Sequence, residues 1–200
     1  QLDKVCKPGA ILATNTSYQD VNLIANATQR PQDVIGLHFF SPANVMKLLE
    51  IVRGEKTAND VIATSMALAK KINKVPVLAN VCYGFIGNRM LRPYGREAQL
   101  CLLEGGTPEQ IDRVMQNWGM AMGPLAVGDL AGLDIGYKAR EGQTEAQKGA
   151  PKTYCVADAL VEMDRLGQKS GAGYYLYDAE TRARINDPKV LALVEEHAKE

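Results

Sequence analysis

The stretch Val34-Ile35-Gly36-Leu37-His38-Phe39-Phe40-Ser41-Pro42, with Leu48-Leu49-Glu50-Ile51-Val52 close behind it, decides the fold. Both runs are short, continuous and apolar, as strands covered on both faces are. On the N-terminal side, Leu2 to Lys7 resembles the last turns of a helix ended by Pro8-Gly9, and Ile11-Leu12-Ala13 is a short apolar strand. Gln19 to Ala27 then supplies a helical face. On the C-terminal side, Thr57-Ala58-Asn59-Asp60 resembles a capped helix start before a pattern continuing through Ala69. Val75-Pro76-Val77-Leu78-Ala79 is a last strand, which Pro76 assigns to a sheet edge. Alternation of this kind predicts an α/β unit with a mostly parallel sheet, whose active groups gather beyond the carboxyl ends of the strands.

After Gly84 the pattern becomes helical. Helices are expected from about Phe85 to Leu103, from Thr107-Pro108 onward with proline at the first helical position, and near Leu125 to Ile135, Val156 to Arg165 and Pro188 to Lys199. The polar section Lys138 to Lys152 reads as an exposed loop. The boundary falls near residues 80 to 84, giving one unit over 1–82 and a second over 83–200. The chain opens inside an architectural unit, so a preceding segment is expected.

Composition narrows the chemistry. A chain of 200 residues with 46% hydrophobic content can bury a sizeable core. A net charge of zero gives no electrostatic reason to expect nucleic acid or an anionic membrane as partner. Cys6, Cys82, Cys101 and Cys155 are widely spaced, which argues against a metal site or disulfide framework and for a reducing compartment. No apolar run is long enough to span a bilayer.

Polar residues that interrupt apolar element ends are the candidates for a site. His38 ends a buried strand, where an imidazole can relay a proton or simply satisfy a backbone carbonyl. Glu50 lies within an apolar strand, an expensive place for a carboxylate unless it is paired; it either orients a histidine or faces outward from a half-exposed strand. Ser17 and Asn88 can each donate a hydrogen bond to a reacting oxygen, or serve as helix caps.

These motifs in this order resemble the 3-hydroxyacyl-CoA dehydrogenase family, most closely the dehydrogenase part of multifunctional fatty-acid β-oxidation enzymes. The residues that carry the likeness are Asn15-Thr16-Ser17, His38-Phe39-Phe40-Ser41-Pro42, Met46-Lys47-Leu48-Leu49-Glu50 and Gly84-Phe85-Ile86-Gly87-Asn88-Arg89. Met122-Gly123-Pro124, Asp129 to Asp134 and Gly167 to Tyr175 extend it along nearly the whole chain. Several motifs with His38 lying 21 positions after Ser17 and 12 before Glu50 are far more specific than any single match.

The resemblance implies an α/β partial Rossmann-type sheet followed by an all-α domain. It implies NAD-dependent oxidation of L-3-hydroxyacyl-CoA to 3-ketoacyl-CoA, with His38 as base, Glu50 as its partner, and Ser17 and Asn88 holding the substrate oxygen. Cofactor contacts are implied for Ser17, Ser41 and Lys169; Ser41 stands where many members of the family have asparagine. No metal is implied. The glycine-rich phosphate fingerprint and the acidic residue for the ribose are absent, so the chain is expected to hold the second half of an NAD-binding domain plus the helical domain. Implied partners are an acyl-CoA substrate and either a second copy, as a homodimer, or a second helical repeat, with no nucleic acid and no membrane insertion. The compartments compatible with the resemblance are bacterial cytoplasm and peroxisomal matrix. Two rivals are weighed beside it. A related β-hydroxyacid dehydrogenase would carry a catalytic lysine on the helix after the nucleotide domain, and residues 84–106 contain none. A noncatalytic CoA-binding or assembly fragment would bind acyl-CoA or dimerise without turnover.

Overall fold

The computed structural model describes residues 1–141, 143, 144, 148, 150 and 152–198. They form two compact units, Gln1–Leu91 and Arg92–Glu200.

In the first unit, helix α1 (Leu2–Val5) leads into a four-stranded sheet of order β1-β2-β3-β4, comprising β1 (Leu12–Thr14), β2 (Val34–Phe39), β3 (Leu48–Arg53) and β4 (Val75–Asn80). The β1–β2 and β3–β4 pairs are parallel, while β2 and β3 run antiparallel. Strand β4 lies at an edge, where Pro76 costs no interior ladder bond. Side chains alternate across the inner strands. Ile35, Leu49 and Ile51 pack with Val61 and Ala69 of α3 (Asn59–Lys71) on one face. Val52 and Ala79 pack with Val21 of α2 (Val21–Asn26) and with Phe85 on the other. Coverage of both faces is why these strands lack polar alternation in the sequence.

Two expected caps resolve differently. Asp20, not Ser17, caps α2, accepting from the Asn22 amide at 2.7 Å. The first residue before α3 is Ala58, which makes no side-chain cap. Thr57 is used elsewhere: its hydroxyl donates to the Val34 carbonyl at 2.8 Å and accepts from the Gly54 amide at 3.0 Å. A buried strand carbonyl outcompetes a solvated helix end for that hydroxyl.

Helix α4 (Gly87–Leu103) starts two residues later than the Phe85 start expected from sequence, and the split between the units falls within it. The second unit continues with α5 (Pro108–Trp118), α6 (Pro124–Ala131), α7 (Leu133–Glu141), α8 (Cys155–Glu162) and α9 (Pro188–Ala198). A two-stranded antiparallel hairpin, β5 (Tyr175–Tyr177) with β6 (Arg184–Asn186), accompanies the helices. Thr107 and Gln110 form a full capping box at the start of α5. The single helix expected over Leu125 to Ile135 is two, separated at Gly132. Residues Lys138 to Glu141 of the expected loop are helical, and part of its remainder lies outside the described residues, as does Lys199. The core gathers Leu102, Leu125, Ala126, Val156, Leu160, Tyr174, Val190 and Val194. Cys6, Cys82, Cys101 and Cys155 form no disulfide.

Candidate active site

The antiparallel register of β2 on β3 sets His38 directly opposite Glu50. Both side chains fall on the face that carries Val52 and Phe85, because side chains alternate with a period of two. Their contact is direct: His38 Nδ1 lies 2.6 Å from Glu50 Oε2. His38 is 3% exposed and Glu50 1%, so the pair is screened from solvent and the outward-facing alternative for Glu50 does not describe this strand. With Nδ1 engaged by a carboxylate, Nε2 is the ring nitrogen left for chemistry.

Glu50 is held from a second side. Its Oε1 accepts from the backbone amides of Ile86 at 2.9 Å and Gly87 at 2.8 Å, at the start of α4. Two amides and a helix N-terminus favour negative charge there, which offsets the cost of burying the carboxylate. The turn that aims those amides is strained. Phe85, fully buried, adopts a left-handed backbone with φ of 46°, a conformation that a bulky residue keeps only when its surroundings hold it. Its ring centroid stands 5.6 Å from that of His38, and Phe40 stands 4.6 Å away from the imidazole. A Cβ at Gly87 would lie 2.7 Å from Phe40 Cζ, so a larger residue there would have to push the Phe40 ring aside.

The remaining predicted residues are distributed as follows. Ser17 is half-buried in the loop after β1. That loop is tied to β2 by Asn15, whose Oδ1 accepts from the Phe39 amide at 2.9 Å. Asn88 is half-buried and directly follows Gly87. Ser41 is exposed just past β2. Lys169 belongs to the second unit, in the short 3-10 turn Gln168–Ser170, where its Nζ lies 2.5 Å from Asp134 Oδ1. That hydrogen bond is the main reason the Asp134 carboxyl titrates below its usual range.

Asn15, Phe40, Ile86 and Gly87 stand within the quoted motifs, but the motifs assigned them no role. Acceptor capacity could have revealed the amides. A carboxylate offers about four lone-pair sites, so one histidine could not satisfy a buried Glu50. Among the described residues no helix is long and apolar enough to cross a membrane.

This geometry defines a class: a half-sheet of dinucleotide-binding type presenting a buried histidine–carboxylate dyad. Residues 1–82 match the 3-hydroxyacyl-CoA dehydrogenase NAD binding domain and residues 84–177 the 3-hydroxyacyl-CoA dehydrogenase C-terminal domain. The chain belongs to the 3-hydroxyacyl-CoA dehydrogenase family. It is 49% identical to the human peroxisomal bifunctional enzyme over 199 residues, 94% of this chain and 27% of that protein. It is 40% identical to the fatty acid oxidation complex subunit alpha of Pseudomonas syringae pv. tomato over 186 residues, 90% of this chain and 26% of that one. Among solved structures, 3-hydroxybutyryl-CoA dehydrogenase from Escherichia coli superimposes with a TM-score of 0.79 at 40% identity, covering 92% of this chain and 40% of that one. The chain thus spans about a quarter of the length of these two curated relatives.

Proposed function

We propose that the parent protein oxidises L-3-hydroxyacyl-CoA to 3-ketoacyl-CoA with NAD, as a step of fatty-acid β-oxidation. The observation that supports this most is the buried pair of His38 Nδ1 and Glu50 Oε2 at 2.6 Å, with Glu50 fixed by two further amides. NAD, when bound, supplies the hydride acceptor. His38 Nε2 takes the proton of the substrate hydroxyl, and Glu50 keeps Nδ1 protonated and balances the imidazolium that forms. Ser17 and Asn88 donate to the oxygen as it becomes a carbonyl, holding the reacting carbon in place.

The residues present suit the nicotinamide end of NAD. Ser17 and Ser41 follow the carboxyl ends of the parallel strands β1 and β2, where open α/β sheets receive ligands. Lys169 is the third contact we assign, and it would exchange or share its bond to Asp134. On this reading residues 1–82 are the C-terminal half of an NAD-binding domain and 83–200 the helical dehydrogenase domain. The helical part would pair with a second copy or a second helical repeat. The higher identity to a peroxisomal relative favours the peroxisomal matrix over bacterial cytoplasm.

Acetoacetyl-CoA reduction by NADH in the full-length parent tests the reading. The wild-type protein should turn over and His38→Ala should not; equal activity in the two would remove His38 from the mechanism.

A further inference from the structure

We infer that the stacked rings of Tyr18 and Tyr83 form a clamp that positions Ser17 and Asn88 relative to one another, an inference that rests on the dehydrogenase reading above. The ring centroids are 4.9 Å apart with planes inclined by 36°, an attractive tilted arrangement for an aromatic pair. Tyr18 directly follows Ser17, and Tyr83 directly precedes Gly84. The two donors belong to segments far apart in the chain, so their spacing has to be fixed by tertiary contacts.

Gly84 completes the clamp. Its backbone is left-handed, with φ of 76°, and the position a Cβ would take lies 3.2 Å from Asn88 Cβ and 3.5 Å from Tyr18 Cε1. The Tyr18 ring, the Gly84 backbone and Asn88 are therefore one packed group. Each half of the group is also anchored to the sheet. On the Ser17 side, Asn15 accepts from the Phe39 amide, and Thr16 Oγ1 accepts from the amides of Tyr18 at 3.3 Å and Gln19 at 2.9 Å. On the Asn88 side, Glu50 holds the Ile86 and Gly87 amides. The tyrosine stack joins the two loops directly, beside these separate ties to β2 and β3. A reaction that needs two donors converging on one oxygen loses rate steeply when either is displaced.

Tyr18 and Tyr83 are positioning residues, and a kcat effect separates that role from simple loss of fold. In the full-length parent, Tyr83→Ala should lower kcat on the order of tenfold or more, with KM for acetoacetyl-CoA changed much less. Tyr83→Phe, which keeps the ring of the stack, should restore most of kcat. Tyr18→Ala should behave as Tyr83→Ala does, and the double variant should lose little beyond either single one. If an alanine variant does not fold, leucine at the same position completes the cycle. Additive losses, a phenylalanine variant as slow as alanine, a loss confined to KM, or unchanged kcat in both single variants would each overturn the clamp. Wild-type turnover abolished by His38→Ala is measured alongside, so that failure of the dehydrogenase reading is recognised separately.

Discussion

The two units each bury a carboxylate against the N-terminus of a helix, and the difference in the third partner separates chemistry from architecture. In the first unit Glu50 accepts from the Ile86 and Gly87 amides and meets His38. In the second, Asp112 accepts from the amides of Leu125 and Ala126, both at 2.9 Å, and from the Tyr175 hydroxyl at 2.7 Å. The frame is the same. An imidazole beside the carboxylate can pass a proton at neutral pH, whereas burial, reinforced by Asp112, pushes the Tyr175 hydroxyl far above its usual range. Asp129 extends the structural version, with its carboxylate accepting from the Tyr174 and Tyr175 amides at 2.9 and 3.1 Å and the Tyr177 hydroxyl at 2.9 Å.

The comparison can be broken most sharply at Asp129 in the second unit and His38 in the first. Asp129→Ala removes all three of those bonds from a fully buried position, and should cost about 3–5 kcal/mol in the urea transition of the second unit. His38→Ala should instead lower kcat by about 10²- to 10⁴-fold while moving that transition little. A more conservative pair sharpens the contrast. In Glu50→Gln the amide nitrogen would point at Nδ1, forcing the proton onto Nε2 and removing the base, so kcat should fall by about 10²- to 10⁴-fold. In Asp112→Asn the new amide nitrogen would face the Ala126 amide as well as the Tyr175 hydroxyl; the hydroxyl can turn to accept but the backbone donor loses its partner, so the loss should be about 1–3 kcal/mol of stability with kcat retained. Equal kcat losses in these two variants would erase the distinction between the units.

An effect of similar size, but dependent on pH, is expected of Tyr177→Phe, which takes one donor from Asp129 and should cost about 1.5–3 kcal/mol at neutral pH. The sign of its pH dependence follows from linkage. Burial raises the Asp129 carboxyl above its ordinary value of 3.8, against the opposing pull of its hydrogen bonds. An acid raised in this way adds most to stability when protonated, and its contribution declines as pH rises through the folded-state value. Losing the Tyr177 hydroxyl raises the carboxyl further, so the penalty should be largest above that value and shrink on acidification. Urea midpoints of both proteins across the acid range measure it, and a penalty that grows as pH falls would refute the assignment.

Much of the first unit was legible because its signals are local. Leu48 to Val52 is a continuous apolar run, Val75 to Ala79 another, and Pro76 marked the edge. Thr107-Pro108 announced the start of α5 for the same reason, through proline at the first helical position. The errors arose where a residue serves a distant partner. Thr57 was read as part of a cap and is spent on the Val34 carbonyl, and the break at Gly132 was not apparent from an apolar pattern running through Leu130 and Leu133. The β5–β6 hairpin was overlooked because its two strands are only three residues each.

The sequence by itself determined the strands and main helices of the first unit and nominated His38 and Glu50, since periodicity and a charge in an apolar run are properties of neighbouring residues. It also supplied, through ordered motifs, the family to which the chain belongs. Only the tertiary structure decided what those groups touch: the amides that hold Glu50, the rings around His38, and the tyrosines around Asp112 and Asp129. The reason is physical. A buried carboxylate must collect donors from wherever the chain brings them, here 36 to 46 positions away for the Ile86 amide on Glu50 and the Tyr175 amide on Asp129, and no local pattern encodes that meeting.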